Sequence, residues 1–99
     1  MRSIRLTIAA RKDIADIRRY TVQRWGPDQA DRYIRELNDA FGRLVDGSIT
    51  GLAADEIDPS IRRLRQGSHN IFYEDDAVIL RIVRVLHERM DFAAHLKHD

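Results

Sequence analysis

Tyr20-Thr21-Val22-Gln23-Arg24-Trp25-Gly26-Pro27-Asp28-Gln29-Ala30-Asp31-Arg32-Tyr33, residues 20–33, contains the break on which the fold turns. Glycine tolerates the left-handed backbone that ends a helix, and Gly26 supplies such a stop. Pro27 lacks an amide hydrogen and has a fixed φ, so it suits the first turn of a new helix. Asp28 and Asp31 follow at once, where the helix dipole favours negative charge. Upstream, Ala10, Ile14, Ile17, Thr21 and Trp25 recur at steps of three or four, which predicts a helix over 10–25. Its outer face carries Arg11, Lys12, Asp16, Arg18, Arg19 and Gln23. Downstream, Ala30, Tyr33, Ile34, Leu37, Phe41, Leu44 and Val45 make a second stripe, ending near residue 45. Two amphipathic helices with so short a break form an αα-hairpin.

Outward from the hairpin the period changes. Residues 3–8 alternate, with Ile4, Leu6 and Ile8 on one side and Ser3, Arg5 and Thr7 on the other, as in a half-buried strand. Residues 46–60 read as a long loop bearing Asp46, Asp55, Glu56 and Asp58. Strands are predicted over 61–66 and 68–73, joined by a turn at Gln66-Gly67. A second turn at Glu74-Asp75-Asp76 leads to a strand over 77–86. That last strand is apolar on both faces, with Val78, Leu80, Ile82 and Leu86 against Ile79, Val83 and Val85, so it should be central. Asp91 can cap a short helix over 92–96. The order β-α-α-β-β-β indicates an α+β fold. In it the hairpin packs on one face of a small, mostly antiparallel sheet, and the other face is at least partly open.

A chain of 99 residues predicts a single domain, residues 1–99. Hydrophobic residues are 43% and charged residues 33%, which excludes a disordered chain and a membrane protein. The formal net charge of +1 excludes a polybasic protein that binds DNA through bulk charge. There is no cysteine, hence no disulfide, thiol nucleophile or thiolate metal site. The N-terminal stretch lacks the apolar core of a signal peptide, and no apolar run is long enough to span a bilayer, so a cytoplasmic protein without membrane contact is expected. Fifteen of the 17 basic residues are Arg, which suits planar, bidentate contacts but also follows from a GC-rich genome.

Candidate chemistry lies mainly on the strands. Arg62, Arg63, Arg65, Arg81 and Arg84 fall there. Alternation puts Arg63 and Arg65 on one face and Arg81 opposite Arg84. A shared face would form a patch for phosphate or carboxylate, and strand arginines also serve simply as solvated charges that discourage aggregation. The segment Val85-Leu86-His87-Glu88-Arg89-Met90-Asp91 places an imidazole, a carboxylate and a guanidinium at the end of a strand. Such a corner suits acid–base work or plain chain turning. His69, His87, His95 and His98 lack paired ligand spacing, so no metal or other cofactor is expected. No GxSxG elbow or Gly-rich phosphate loop occurs. Tyr20, Trp25 and Tyr33 either line a partner groove or pack inside; core is the expectation for Trp25.

Residues 20–33, Asp55-Glu56-Ile57, Arg62-Arg63-Leu64, Gly67-Ser68-His69-Asn70-Ile71-Phe72-Tyr73 and Ile82-Val83-Arg84-Val85-Leu86-His87-Glu88-Arg89-Met90-Asp91 together resemble, in order, the ParE-type toxins of the RelE/ParE superfamily. The resemblance covers residues 3–96 and implies the same α+β fold. It implies a toxin of a type II toxin–antitoxin system, active in plasmid or chromosome maintenance through growth inhibition. A ParD-like antitoxin would neutralise it, in a complex of two toxins with two antitoxins or larger. The implied target is DNA gyrase, inhibited by binding and not by catalysis, with no sequence-specific DNA binding by the toxin alone. Candidate target contacts are Arg63, Arg65, Arg81, His87, Arg89 and Met90; candidate antitoxin contacts are Arg18, Arg19 and Arg35. The alternative is the RelE-type ribosome-dependent cleavage of mRNA, for which His87, Arg81, Arg63 and Arg65 are the available groups. The chain departs from the family at Leu52, where Arg is common, and in the acidic Asp75-Asp76 turn. A toxin attenuated to antitoxin binding is therefore a third reading.

Overall fold

The computed structural model describes residues 2–96. The chain runs β1 (Ser3–Leu6), α1 (Ile8–Trp25), α2 (Pro27–Asp46), β2 (Leu52–Ala53), β3 (Arg62–Gln66), β4 (His69–Asp75), β5 (Ile79–His87) and α3 (Phe92–Leu96). Thr7 converts strand into helix: its Oγ1 accepts the Ala10 amide at 3.0 Å as an N-cap and donates to the Val83 carbonyl at 2.7 Å. Gly26 ends α1 at φ +90°, its amide donating to the Val22 carbonyl at 2.9 Å, and Pro27 opens α2 as expected. Arg18 on α1 and Asp31 on α2 hold the hairpin closed at 2.6 Å.

The sheet order is β1-β5-β4-β3-β2. β5 is antiparallel to β4 but parallel to β1, so first and last strands lie side by side. The hairpin covers one face through Ala10, Ile17, Leu37, Phe41 and Leu44, packed on Ile71, Tyr73, Leu80, Ile82 and Val85. A second core lies on the other face, where Ala54 and Ile61 of the long connection meet Phe72 and Leu86, with Phe92 and Leu96 of α3 beside them. The expected open face is thus partly roofed. The connection also contributes β2, a two-residue edge strand, where a bare loop was expected.

Four expectations change. Ile8 does not point inward with Ile4 and Leu6; it is the first residue of α1 and 89% exposed, because the strand ends before it. Trp25 is not core: it sits on the last turn of α1, beyond the reach of the sheet, and is 60% exposed. The acidic turn lies later than predicted, since β4 continues through Asp75 and the Asp76 carboxylate takes the Val78 and Ile79 amides, both at 2.8 Å. Those amides hold the Asp76 carboxyl below the usual range. Finally, β5 does not alternate throughout. Phe72 pairs with Arg84 but Tyr73 with Ile82, so β5 carries an extra residue, a β-bulge. Beyond it Val85, not Leu86, joins Ile82 in the hairpin-side core, and Leu86 turns to the second core.

Candidate functional site

The bulge decides where the chemistry-bearing residues go. Arg84 and Val85 lie toward α1, where Asp13 meets both. Its carboxylate accepts from Arg84 Nε at 2.8 Å, from Arg84 Nη2 at 2.9 Å and from the Val85 amide at 3.0 Å. Both side chains are largely buried, so this is a desolvated, bidentate pair. His87 comes next on the same side. It pairs across the strands with His69, their rings meeting edge to face at 5.3 Å.

His69 is anchored by α2. Tyr33 Oη lies 2.6 Å from His69 Nδ1, donates to the Gln66 carbonyl at 3.1 Å and accepts the Ser68 amide at 3.2 Å. The direction of the Tyr33–His69 hydrogen bond follows the His69 tautomer. The His87 tautomer is set by a backbone neighbour. Its Nδ1 accepts the Arg89 amide at 3.2 Å, so the neutral ring carries its proton on Nε2.

Burial pushes the His69 pKa down to about 4, assisted by the neighbouring His87 charge and opposed by Glu88 and Asp13. In the unfolded chain His69 titrates near 6.5. Between those values the unfolded state binds more protons, so stability is complete above pH 6.5 and falls as pH drops toward 4. His69 is partly solvated, and the expected loss is about 1–2 kcal/mol after allowing for screening. Urea unfolding at pH 7.5 and 4.5 measures it. His69→Gln should lose less over that interval than the parent; an equal loss would assign the pH dependence to other groups.

These residues line a groove of about 710 Å³ between α1 and the β5–α3 corner. One wall carries Asp13, Asp16, Ile17 and Tyr20; the other carries His69, His87, Glu88, Arg89 and Met90. Of the target candidates, His87, Arg89 and Met90 meet here. Arg63, Arg65 and Arg81 do not. They share the opposite face, as their partners Phe72, Asn70 and Glu74 show. Each is held by a carboxylate: Arg63 by Glu56 at 3.5 Å, Arg65 by Glu88, and Arg81 by Glu74 at 3.3 Å. The strand arginines therefore form charge ladders, not a bare cationic patch.

The ribonuclease set is split between the two faces. His87 faces the helical layer and Arg63, Arg65 and Arg81 face away, so the four do not converge on one scissile group. Of the antitoxin candidates, Arg18 is tied to Asp31 and Arg19 to Asp16 at 2.9 Å, while Arg35 is exposed on α2. Among the described residues no group of three or more His, Asp or Glu side chains is arranged to hold a metal. His98 and Lys97 lie outside the described residues. No helix among the described residues is long and apolar enough to cross a membrane.

Beside this groove lies a cluster in which Tyr20 and Trp25, candidates for a partner groove, are joined by Arg24, which the sequence reading did not single out. Tyr20 is 53% exposed and meets Trp25 edge to face at 6.2 Å. Arg24 lies over both rings, 5.8 Å from the Tyr20 centroid and 5.4 Å from that of Trp25. The i, i+4 spacing of Tyr20 and Arg24 signalled their contact. Nothing in the helical stripe signalled that Trp25 stands beyond the sheet.

Comparison with known proteins agrees with this architecture. The family described as "ParE toxin of type II toxin-antitoxin system, parDE" matches residues 4–92. Toxin ParE1 of Mycobacterium tuberculosis is 42% identical over 92 residues, covering 92% of this chain and 94% of that protein. Toxin ParE1 of Caulobacter vibrioides is 38% identical over 96 residues, covering 97% and 99% respectively. Among solved structures, a chain of the chromosomal ParDE system from P. aeruginosa superposes with a TM-score of 0.74 at 20% identity, over 88% of this chain and 96% of that one. With the family pattern spanning both helices and all five strands, the chain belongs to the ParE toxins of the RelE/ParE superfamily and is the toxin component of a type II toxin–antitoxin system.

Proposed function

We propose that this toxin acts by binding DNA gyrase and so blocking replication, and that a ParD-like antitoxin neutralises it. The separation of His87 from Arg63, Arg65 and Arg81 on opposite sheet faces carries this reading. Nucleolytic chemistry needs an acid, a base and a charge clamp within hydrogen-bond reach of one phosphate. Here the guanidiniums that would clamp it are paired with Glu56, Glu88 and Glu74. A binding mode needs instead an exposed, partly apolar surface with unspent charge. The groove rim at Arg89 and Met90 supplies one. The antitoxin contact is placed on the outer face of the hairpin, with Arg35 free of any ion pair among the described residues, and Arg18 and Arg19 at its rim.

The test is a supercoiling assay with purified toxin and gyrase from the producing host, scored for lost supercoiling and trapped cleaved DNA. Arg89→Ala with Met90→Ala should weaken inhibition roughly tenfold or more, as for truncation of central contacts. The parent toxin and His87→Ala with Arg81→Ala should alike leave ribosome-bound mRNA uncut. Intact supercoiling together with defined cuts in ribosome-bound mRNA would reverse the assignment in favour of the RelE-type reading.

A further inference from the structure

We propose that the Tyr20–Arg24–Trp25 cluster and the adjoining groove bind single-stranded nucleic acid, bases stacking on the aromatic rings and phosphates meeting Arg24 and Arg89. This goes beyond the gyrase reading and does not depend on it, because the strand itself and not a protein is the occupant. Three observations support it.

The first is the aromatic surface. Trp25 and Tyr20 stand exposed side by side on one end of α1, and Tyr20 also forms the groove wall. Part of this aromatic surface faces solvent, and such surface stacks with every base whatever its sequence. Arg24 over both rings holds a planar cation at the same place.

The second is charge. Three carboxylates line the groove, and each is already neutralised: Asp13 by Arg84, Asp16 by Lys12 and Arg19, Glu88 by Arg65. Arg24 and Arg89 have no carboxylate partner among the described residues. Arg89 thus lines a groove whose carboxylates are already paired, Arg24 lies beside it over the Tyr20 and Trp25 rings, and the complement of this surface is a polyanion.

The third is shape and polarity. The groove is open, about 710 Å³, and its wall holds imidazole groups that can meet base edges, with His87 Nε2–H as a donor beside His69. A duplex would bury its bases away from the rings, so the single strand is the form that uses this surface.

The chain has one tryptophan, so Trp25 emission reports directly on its own surface. Titration of the purified toxin with an eight-residue oligothymidylate at low salt should quench that emission saturably. Octauridylate should quench similarly, and a strong bias between the two would identify the sugar as a contact. An eight-residue polyglutamate and a short duplex should quench weakly. For variants, anisotropy of the labelled oligonucleotide replaces tryptophan emission. Trp25→Ala should weaken binding roughly tenfold, the scale of one lost base stack. Arg24→Ala and Arg89→Ala should each flatten the dependence of log affinity on log salt by roughly 0.7, the value for one phosphate on a single strand. That slope is a readout which a folding role does not move, and far-ultraviolet circular dichroism checks the fold. Absent quenching, equal response to polyglutamate, equal or tighter duplex binding, or an unaltered salt slope would each overturn the proposal. Gyrase inhibition that persists in Trp25→Ala while oligonucleotide binding is lost would show the two activities to be separate.

Discussion

Asp13→Ala should lower the unfolding free energy by about 3 kcal/mol, the scale for orphaning one member of a buried ion pair. Asp13 satisfies Arg84 through two hydrogen bonds and also takes the Val85 amide at the bulge. Removing the carboxylate therefore leaves a buried cation and a backbone donor without their partner at the same point. The bulge is where the strand's sidedness resets, so the damage extends to the His87, Arg89 and Met90 wall of the groove. Urea unfolding followed by circular dichroism gives the magnitude. Asp13→Ala combined with Arg84→Met should recover a good part of the loss, because an apolar stem of similar size removes the stranded charge. A loss under about 1 kcal/mol would show that solvent reaches the pair and that its worth is that of a surface bridge.

Gly51 is the glycine at which an added methyl group would meet backbone. A Cβ there would lie 2.6 Å from the Arg63 carbonyl oxygen, 2.9 Å from its carbon and 2.9 Å from the Tyr73 ring. The first two are backbone of β3, and Tyr73 is among the largest fully buried side chains, so neither neighbour can yield cheaply. The same glycine donates its amide to Tyr73 Oη at 2.7 Å and offers its carbonyl to Arg62 at 3.2 Å. Gly51→Ala should cost about 3 kcal/mol, at the upper end for overpacking, and should displace β2 from β3. Tyr73→Phe, which removes only the hydroxyl, should cost about 1 kcal/mol. Gly42→Ala makes the control: it lies exposed in α2 with nothing within 4 Å of the added carbon, and should stabilise by about 0.5–1 kcal/mol through helix propensity. Equal effects at positions 51 and 42 would refute the steric account.

The helices and their break were legible because periodicity, the glycine stop and Pro27 agree locally. Strand positions were legible to within a few residues for the same reason. Three features were not. The parallel pairing of β1 with β5 joins segments over 70 residues apart, and alternation within either carries no information about direction. The bulge at Val83 and Arg84 is braced by Asp13, a residue on a different element, so a strict period of two misassigned Val85 and Leu86. Trp25 continues the core stripe of α1, but its helix outruns the sheet it packs on. The site suffered most from the second. Alternation paired Arg63 with Arg65 but left open whether Arg81 or Arg84 joined them; Arg81 does, His87 is delivered to the other face, and the acidic partners of the three arginines come from the long connection, from β4 and from the residue after β5.

The place of β5 in the sheet bears on when the toxin can exist during its own synthesis. β5, residues 79–87, lies between β1 and β4, and its bulge meets α1. Until the ribosome has released it, β1 has no strand to pair with and the hairpin has only part of its apolar floor. Long-range pairing of this kind forms late, after the entropy of closing the intervening chain has been overcome. The growing polypeptide thus lacks its complete sheet through most of its translation, and the groove wall of His87, Arg89 and Met90 is among the last parts to be made. The interval between the first codon and a folded toxin is time in which an antitoxin already present can be waiting.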